Sequence, residues 1–457
     1  MKLVGKRYGV TMKKYILLII LIILLILSCT KNSPTGPSSP SADDMHWTKS
    51  QSPIYIKDCF VVPKGDTLVI DPGVEVIFKS SDWVYDFYIN DLKVGMLHIK
   101  GKLLAEGTEE EPITFAREDD KGGSFWGGIF IDSTLTEQNR LQYCNIEYSF
   151  KSTYDNMRGA LSFYCSEGII DNCYFLNCSS SDICCLENTN VDIYNCTIDS
   201  YISWGGKLAI YCSNNSICKI VGNTLLGPEY GIKCSDHSEV MISENIIKNY
   251  YYYGICCNNY NGSNIEIRNN IIEHCETGIK CHWTGSPNIL NNIIKNNWNY
   301  GIYSICSNPY ITSNLIIEND NGIYIQSNTP SLIVNNTIAN NNSGFLCYDG
   351  SSILINSVLW DNDEAYVFMT DQNDVYISYS LIQGISLPSQ VHNEGNNLMN
   401  QDPLFVDETN GNYELQDGSP CINAGNDEVE NLPETDILGN PRFSGTSIDM
   451  GAYEFQE

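Results

Sequence analysis

The chain has 457 residues, 42% hydrophobic and only 18% charged, a balance that excludes a disordered protein and suits a β-rich folded one. Its formal net charge of -29 argues against polyanionic partners, nucleic acid and anionic lipid surfaces among them, because such binding relies on basic patches that release counterions, and it leaves cations and neutral glycans open. The length accommodates two or three ordinary domains, or one elongated repeat domain with caps.

Residues 1–28 read as an export signal: Lys13 and Lys14 precede an apolar run from Tyr15 to Leu27 that is short for a membrane span. The run ends in Ile26-Leu27-Ser28-Cys29, which resembles the bacterial lipobox. That resemblance implies lipid on Cys29 and a tether to a membrane of the cell envelope, at the outer membrane or cell surface, without a spanning helix. Removing residues 1–28 takes away Lys2, Lys6, Arg7, Lys13 and Lys14 and no acid, which moves the charge by five to -34. Residues 29–50 are expected to form a flexible linker, since 30–44 are mostly Ser, Pro, Thr, Gly and Asp and cannot pack a core.

Residues 51–125 contain two strand-rich stretches, SPIYIKDCFVVPKGDTLVIDPGVEVIF (52–78) and LHIKGKLLAEGTEEEPITF (97–115), expected to form an N-terminal β cap and first coils. From about residue 190 one pattern recurs: VDIYNCTI (191–198), VMISENII (240–247), IEIRNNII (265–272), PNILNNII (287–294), PYITSNLI (309–316) and SLIVNNTI (331–338). Counting on the matching Asn gives Asn195, Asn223, Asn245, Asn270, Asn292, Asn314 and Asn336, spaced by 28, 22, 25, 22, 22 and 22. So short a period without helical patterning predicts a solenoid of short strands. Gly231-Ile232, Gly254-Ile255, Gly278-Ile279, Gly301-Ile302, Gly322-Ile323 and Gly344-Phe345 mark a second strand in each unit. Alternation such as Ile265-Glu266-Ile267-Arg268 points Ile inward and charge outward. The repeated Asn is expected at the bend between strands, where it tolerates the left-handed conformation and can stack in a side-chain ladder.

This unit resembles the right-handed parallel β-helix repeat shared by pectin-lyase-like proteins and many bacterial surface proteins, and the resemblance covers residues 126–397. It implies an all-β, single-stranded right-handed parallel β-helix. Residues 398–457, with DPLFVD, YELQDGSPCINAG, DILGNPR and IDMGAYEF, resemble a closing segment found at the C-terminal end of such helices. Asp402, Asp407, Asp436 and Asp449 in that segment could hold calcium, or could pair with Arg442 and the backbone to order the cap.

Nineteen Cys in an exported chain suggest disulfides, yet Cys212, Cys234, Cys257 and Cys281 recur at 22, 23 and 24 residues, each on the inward side of a strand. A buried thiol stack is expected there, with a disulfide between adjacent coils as the alternative. His274, Cys275, Cys281 and His282 fall in one coil as a conceivable soft-metal cluster, but alternation turns Cys281 and His282 to opposite sides. No metal site is assigned.

Outward residues preceding the Cys stack are Tyr211, Lys233, Cys256, Lys280, Tyr303 and Tyr324. A polysaccharide lyase would need a basic residue as proton acceptor there; Lys280 with Glu276 and His274, or Lys233 with Asp236 and His237, are the candidates. A hydrolase would need two opposed carboxylates, for which Asp236, Glu244, Glu266 and Glu276 are available without a distinguishing spacing. For binding, Tyr250, Tyr251, Tyr252 and Tyr253 form one run and Trp283, Trp298, Tyr300 and Tyr303 follow in nearby coils, aromatic faces suited to sugar rings. The reading is an envelope-anchored module that binds glycans or a cell-surface partner. A carbohydrate-active lyase, hydrolase or epimerase is the first alternative, and a periplasmic metal-handling protein the second.

Overall fold

The computed structural model describes residues 40–41, 44–82, 94–118, 124–150, 158–178, 181–201, 206–258, 264–368, 374–384 and 386–456. The signal segment, Cys29 and the linker as far as residue 39 lie outside the described residues. Order begins before the expected linker boundary at residue 50: His46–Trp47 already pairs in parallel with Val69 and Ile70, and Trp47 is fully buried against Phe60. A lone Trp in a polar stretch has too little apolar company in sequence to announce a strand.

One coil shows the plan. Tyr230–Ser235 runs in a first sheet, turns at Asp236 and His237, both at positive φ, and continues as Glu239–Ser243 in a second sheet. Glu244, at φ 59, bends the chain into Ile246–Lys248 of a third sheet, and Asn249 turns it toward the next coil. Each strand pairs in parallel with its counterpart one coil on, Cys234 with Cys257, Ile242 with Ile267 and Ile247 with Ile272. Among the described residues the first sheet has 13 strands and the second and third have 15 each, so the chain is a parallel β-helix.

Inward positions carry the energetics. Ile210, Ile232, Ile255, Ile279, Ile302 and Ile323 form one in-register column, all fully buried, and each such side chain contributes about 1.5–3 kcal/mol. Ile210 follows Ala209, and the Gly before each of the other five reflects close approach. A Cβ on Gly278 would lie 2.7 Å from the Gly301 carbonyl oxygen and 2.8 Å from an Ile294 methyl.

The Asn ladder forms, but its two expected roles fall on neighbouring residues. The Asn270 backbone N–H and side-chain amide both donate to Asn292 Oδ1, at 3.0 and 2.9 Å, and the same pattern runs from Asn223 to Asn336. The left-handed residue is the one before: Gly222, Glu244, Asn269, Asn291, Ser313 and Asn335. Asn195 therefore does not belong to the ladder. It is the left-handed residue of its coil, and Cys196 holds the ladder position, its N–H donating to Asn223 Oδ1 at 2.8 Å. Cys144, Cys173 and Cys196 fill that place in three successive coils. A second ladder, Asn297, Asn319, Asn341 and Asn362, stands at the corner before the first sheet.

The closing segment lies along the outer face of the third sheet. Leu315, Ile317, Ala339 and Val358 are outward there yet apolar, and Tyr413, Leu415, Met450 and Ala452 cover them. Fully buried Arg442 fastens the segment, donating to Ser313 Oγ at 2.6 Å and to the Ala452 and Gly451 carbonyls.

Candidate functional site

Register makes the outward residues of the first sheet a continuous row: Tyr211, Lys233, Cys256, Lys280, Tyr303 and Tyr324 face one another coil by coil. A second in-register row, Tyr230, Tyr253, Thr277 and Tyr300, lies three residues earlier on the same strands, with Thr277 buried among the tyrosines' coils. The rings pack as a sheet of phenols. Tyr252 stacks on Tyr230 at 5.0 Å, Tyr300 lies 4.6 Å from Tyr303, and Tyr303 lies 4.9 Å from Tyr324. Several of their hydroxyls are engaged within the protein, Tyr211 with Ser235 Oγ at 3.1 Å and Tyr324 donating to Gln326 Oε1 at 3.5 Å.

Two cations are set into this surface. Lys280 Nζ donates to the Tyr253 hydroxyl at 3.0 Å and lies 4.4 Å from that ring's centre, with Tyr303 on its other side at 5.9 Å. Lys233 Nζ lies 5.7 Å from the Tyr211 ring. Among the described residues neither lysine has a carboxylate within ion-pair distance. Half-burial alone would push Lys280 down, but the hydrogen bond to Tyr253 and the neighbouring phenols and thiol outweigh it, so its pKa lies above the ordinary value. Lys280 is therefore a held cation and a poor base. Between the lysines, burial pushes the Cys256 thiol up to about 11 despite both charges, and it remains protonated. His282, outward beyond Lys280, is pushed down by burial and then by that ammonium.

The acids proposed to work with these lysines are elsewhere. Glu276 lies at the corner, where its charge adds least to a rise in Tyr300 caused first by burial and then by Tyr303 and Asp320, and it makes no ion pair with Lys280. His274 is exposed at a left-handed bend on the opposite end of the corner. Asp236 is exposed in the turn after Lys233 and accepts from Ser235 Oγ at 2.9 Å. The arrangement brings together Lys280, Tyr252, Tyr253 and Tyr303 and leaves Glu276 and Asp236 outside.

The four-Tyr run is not one surface. Tyr250 is 1% exposed and faces inward, in the corner position that Cys275 and Asn297 occupy in the next coils, so it is unavailable as a binding residue. Strand alternation cannot reveal this, because the residue lies in a turn. Tyr251 and Trp298 project from the same corner two coils apart, 63% and 52% exposed, with Glu276 between them. Trp283 is exposed at the far end of its strand, beside His282 and a register shift. Tyr230 completes the phenol surface and escaped sequence reasoning; its signal is the Tyr-Gly-Ile start it shares with Tyr253 and Tyr300.

Inward, Cys185, Cys212, Cys234, Cys257 and Cys281 face one another in register, and none of the eighteen described Cys is in a disulfide. The four acids of the closing segment do not form one group: Asp436 and Asp449 both lie beside Glu454 and Arg442, whereas Asp402 and Asp407 cap turns of their own. Asp402 accepts from the Leu404 N–H, Asp407 from the Asn410 amide, Asp436 from the Leu438 and Asn440 N–H groups, and Asp449 from those of Asn423 and Phe455. Among the described residues, the group spaced for a metal ion is Cys185, Cys212 and Cys218.

This is a right-handed parallel β-helix with an aromatic, lysine-bearing outer face. Residues 208–359, the span that carries that face, match the family described as right handed beta helix region. No curated protein matches the chain in sequence. Among solved structures the chain is similar to the periplasmic alginate epimerase AlgG, at 13% identity over 76% of this chain and 77% of that one, TM-score 0.47. It is similar also to pectate lyase Pel9A, at 13% over 72% and 88%, TM-score 0.40, and to XylC in complex with xylose, at 12% over 89% and 98%, TM-score 0.49.

Proposed function

We propose that the protein binds a glycan chain along the outer face of the first sheet, from Tyr230 to Tyr324, with acidic sugar groups received at Lys233 and Lys280. The observation that carries this reading is the strip of packed phenols with two cations that, among the described residues, no carboxylate neutralises. Tyr faces stack on sugar rings and their hydroxyls meet ring substituents. Coils stack at about 4.8 Å, so Lys233 and Lys280, two coils apart, are separated by roughly 9.6 Å along the groove direction. In a chain of net charge -29, two such cations also select where an acidic polymer can settle. Binding, rather than cleavage, is favoured by the protonated state of Lys280 and by the absence of an opposed acid beside it among the described residues.

The purified protein should be titrated calorimetrically with polyuronates and neutral polysaccharides while ultraviolet absorbance follows unsaturated products. Binding of polyuronates without products is the expected result; turnover would replace this reading with an enzyme, and binding to neither would end it. Envelope anchoring belongs to the same reading and rests on the apolar run before Cys29. Radiolabelled palmitate should enter the wild-type chain in a bacterial host and not Cys29→Ser.

A further inference from the structure

Where the first sheet turns into the second, three thiols meet inside the solenoid. Cys185 and Cys212 face each other on adjacent coils, and Cys218 enters from Ile217–Val221, the second-sheet strand that follows Cys212. Their Sγ atoms all lie within 4.8 Å of one another, and all three residues are buried. In the adjoining coils the place of Cys218 is taken by Val191 and Val240, so packing alone is satisfied by an apolar side chain. We propose that Cys185, Cys212 and Cys218 form a binding site for a trivalent thiophilic ion of the arsenite type, held as a neutral tris-thiolate.

The donor set decides the ion class. Structural zinc takes four ligands in a tetrahedron, and here the next thiol along the row, Cys234, is engaged with Cys257. Soft thiolates alone favour soft ions. Among the described residues the groups acting most strongly on the three thiols are each other and Cys234, so a charged complex would be buried without a counter-ion, which is strongly unfavourable. Three thiolates leave a doubly negative centre around monovalent copper and a singly negative one around a divalent ion. Around a trivalent ion the charge is zero. Loading balances without redox change: three arsenic–oxygen bonds break, three arsenic–sulfur bonds form, and each thiol proton leaves with a hydroxide as water. Because the thiols are buried, the ion enters as the chain folds or during a local opening.

The test refolds the full chain from denaturant under reductant with equimolar arsenite, and in parallel with Cu(I). One arsenic per chain after desalting, with three sulfur neighbours by X-ray absorption, is expected. Cys218→Val, which copies Val191 and Val240, should refold with unchanged circular dichroism and retain at least tenfold less arsenic; Cys257→Ala, outside the cluster, should retain it fully. Preferential capture of Cu(I) by the three sulfurs would overturn the trivalent assignment. No arsenic retained, equal loss in both variants, or a Cys185–Cys212 disulfide in protein isolated from producing cells would overturn the site.

Discussion

Lys280 reaches across one coil to the Tyr253 hydroxyl, 3.0 Å away, and in doing so lays its ammonium over the face of the same ring. The cation is thus held in place before any ligand arrives, so little side-chain entropy remains to be lost on binding. Lys280→Gln should weaken binding of carboxylated glycans about tenfold, roughly 1.4 kcal/mol, and flatten the salt dependence of what remains. Neutral glycans, if bound, should change far less. Calorimetry at two ionic strengths distinguishes these cases, and an equal loss for both ligand classes would show that Lys280 serves packing.

A buried amide ladder carries its cost only if every rung is present. Asn292 donates to the Ile267 and Leu290 carbonyls and to Asn314, and accepts twice from Asn270. Asn292→Ala leaves several of these groups buried without partners and should cost about 2–4 kcal/mol. Asn336→Ser, at the end where Ser357 already continues the row, should cost under about 1 kcal/mol. Denaturant midpoints of the two variants give the comparison; similar values would mean that the ladder follows the packing and contributes little itself.

Much of this was legible in sequence, for a physical reason. Inward Ile columns and close-packed Gly recur every coil because each coil must match the next, so period and facing could be read together. The Cys row and the outward row from Tyr211 to Tyr324 followed from the same alternation. Asn195 misled because Asn suits both the left-handed bend and the ladder, and the two places are adjacent. Tyr250 misled because alternation stops at a corner. Cys218 joins Cys212 around a bend and Cys185 from another coil, a meeting that no single spacing expresses. The docking of the closing segment was hidden because Leu315 and Ile317 read as ordinary strand residues until their outward direction is known.

Arg442 ties that segment to the solenoid through Ser313 Oγ while satisfying the Ala452 and Gly451 carbonyls, with Glu454 at 3.8 Å. Arg442→Met removes the donors and leaves their acceptors buried, an expected loss of about 3–5 kcal/mol. Arg442→Lys should recover only part of it, since one ammonium cannot reproduce the planar fork. In limited proteolysis the Met variant should be cut first within residues 398–457 while the coils resist. Cleavage beginning in the coils instead would mean that the segment is not separately held.

Glu454 gives the closing segment a pH response of defined sign. Burial, then the Asp449 charge, pushes its carboxyl up to about 8, against the downward pull of Arg442 and two backbone hydrogen bonds. The folded state therefore holds this proton more tightly than the unfolded chain, whose Glu titrates near 4.3. Its stabilising contribution is complete below about pH 4.3, declines as pH rises, and is gone once pH has passed about 8, at up to about 1.4 kcal/mol per unit in between. Hydrogen exchange of residues 436–456 should accordingly show weaker protection at pH 8 than at pH 6, after correction for the intrinsic rate. Glu454→Gln, a neutral mimic, should remove most of that difference while leaving the coils unchanged. A variant that keeps the full difference would place the titrating group elsewhere.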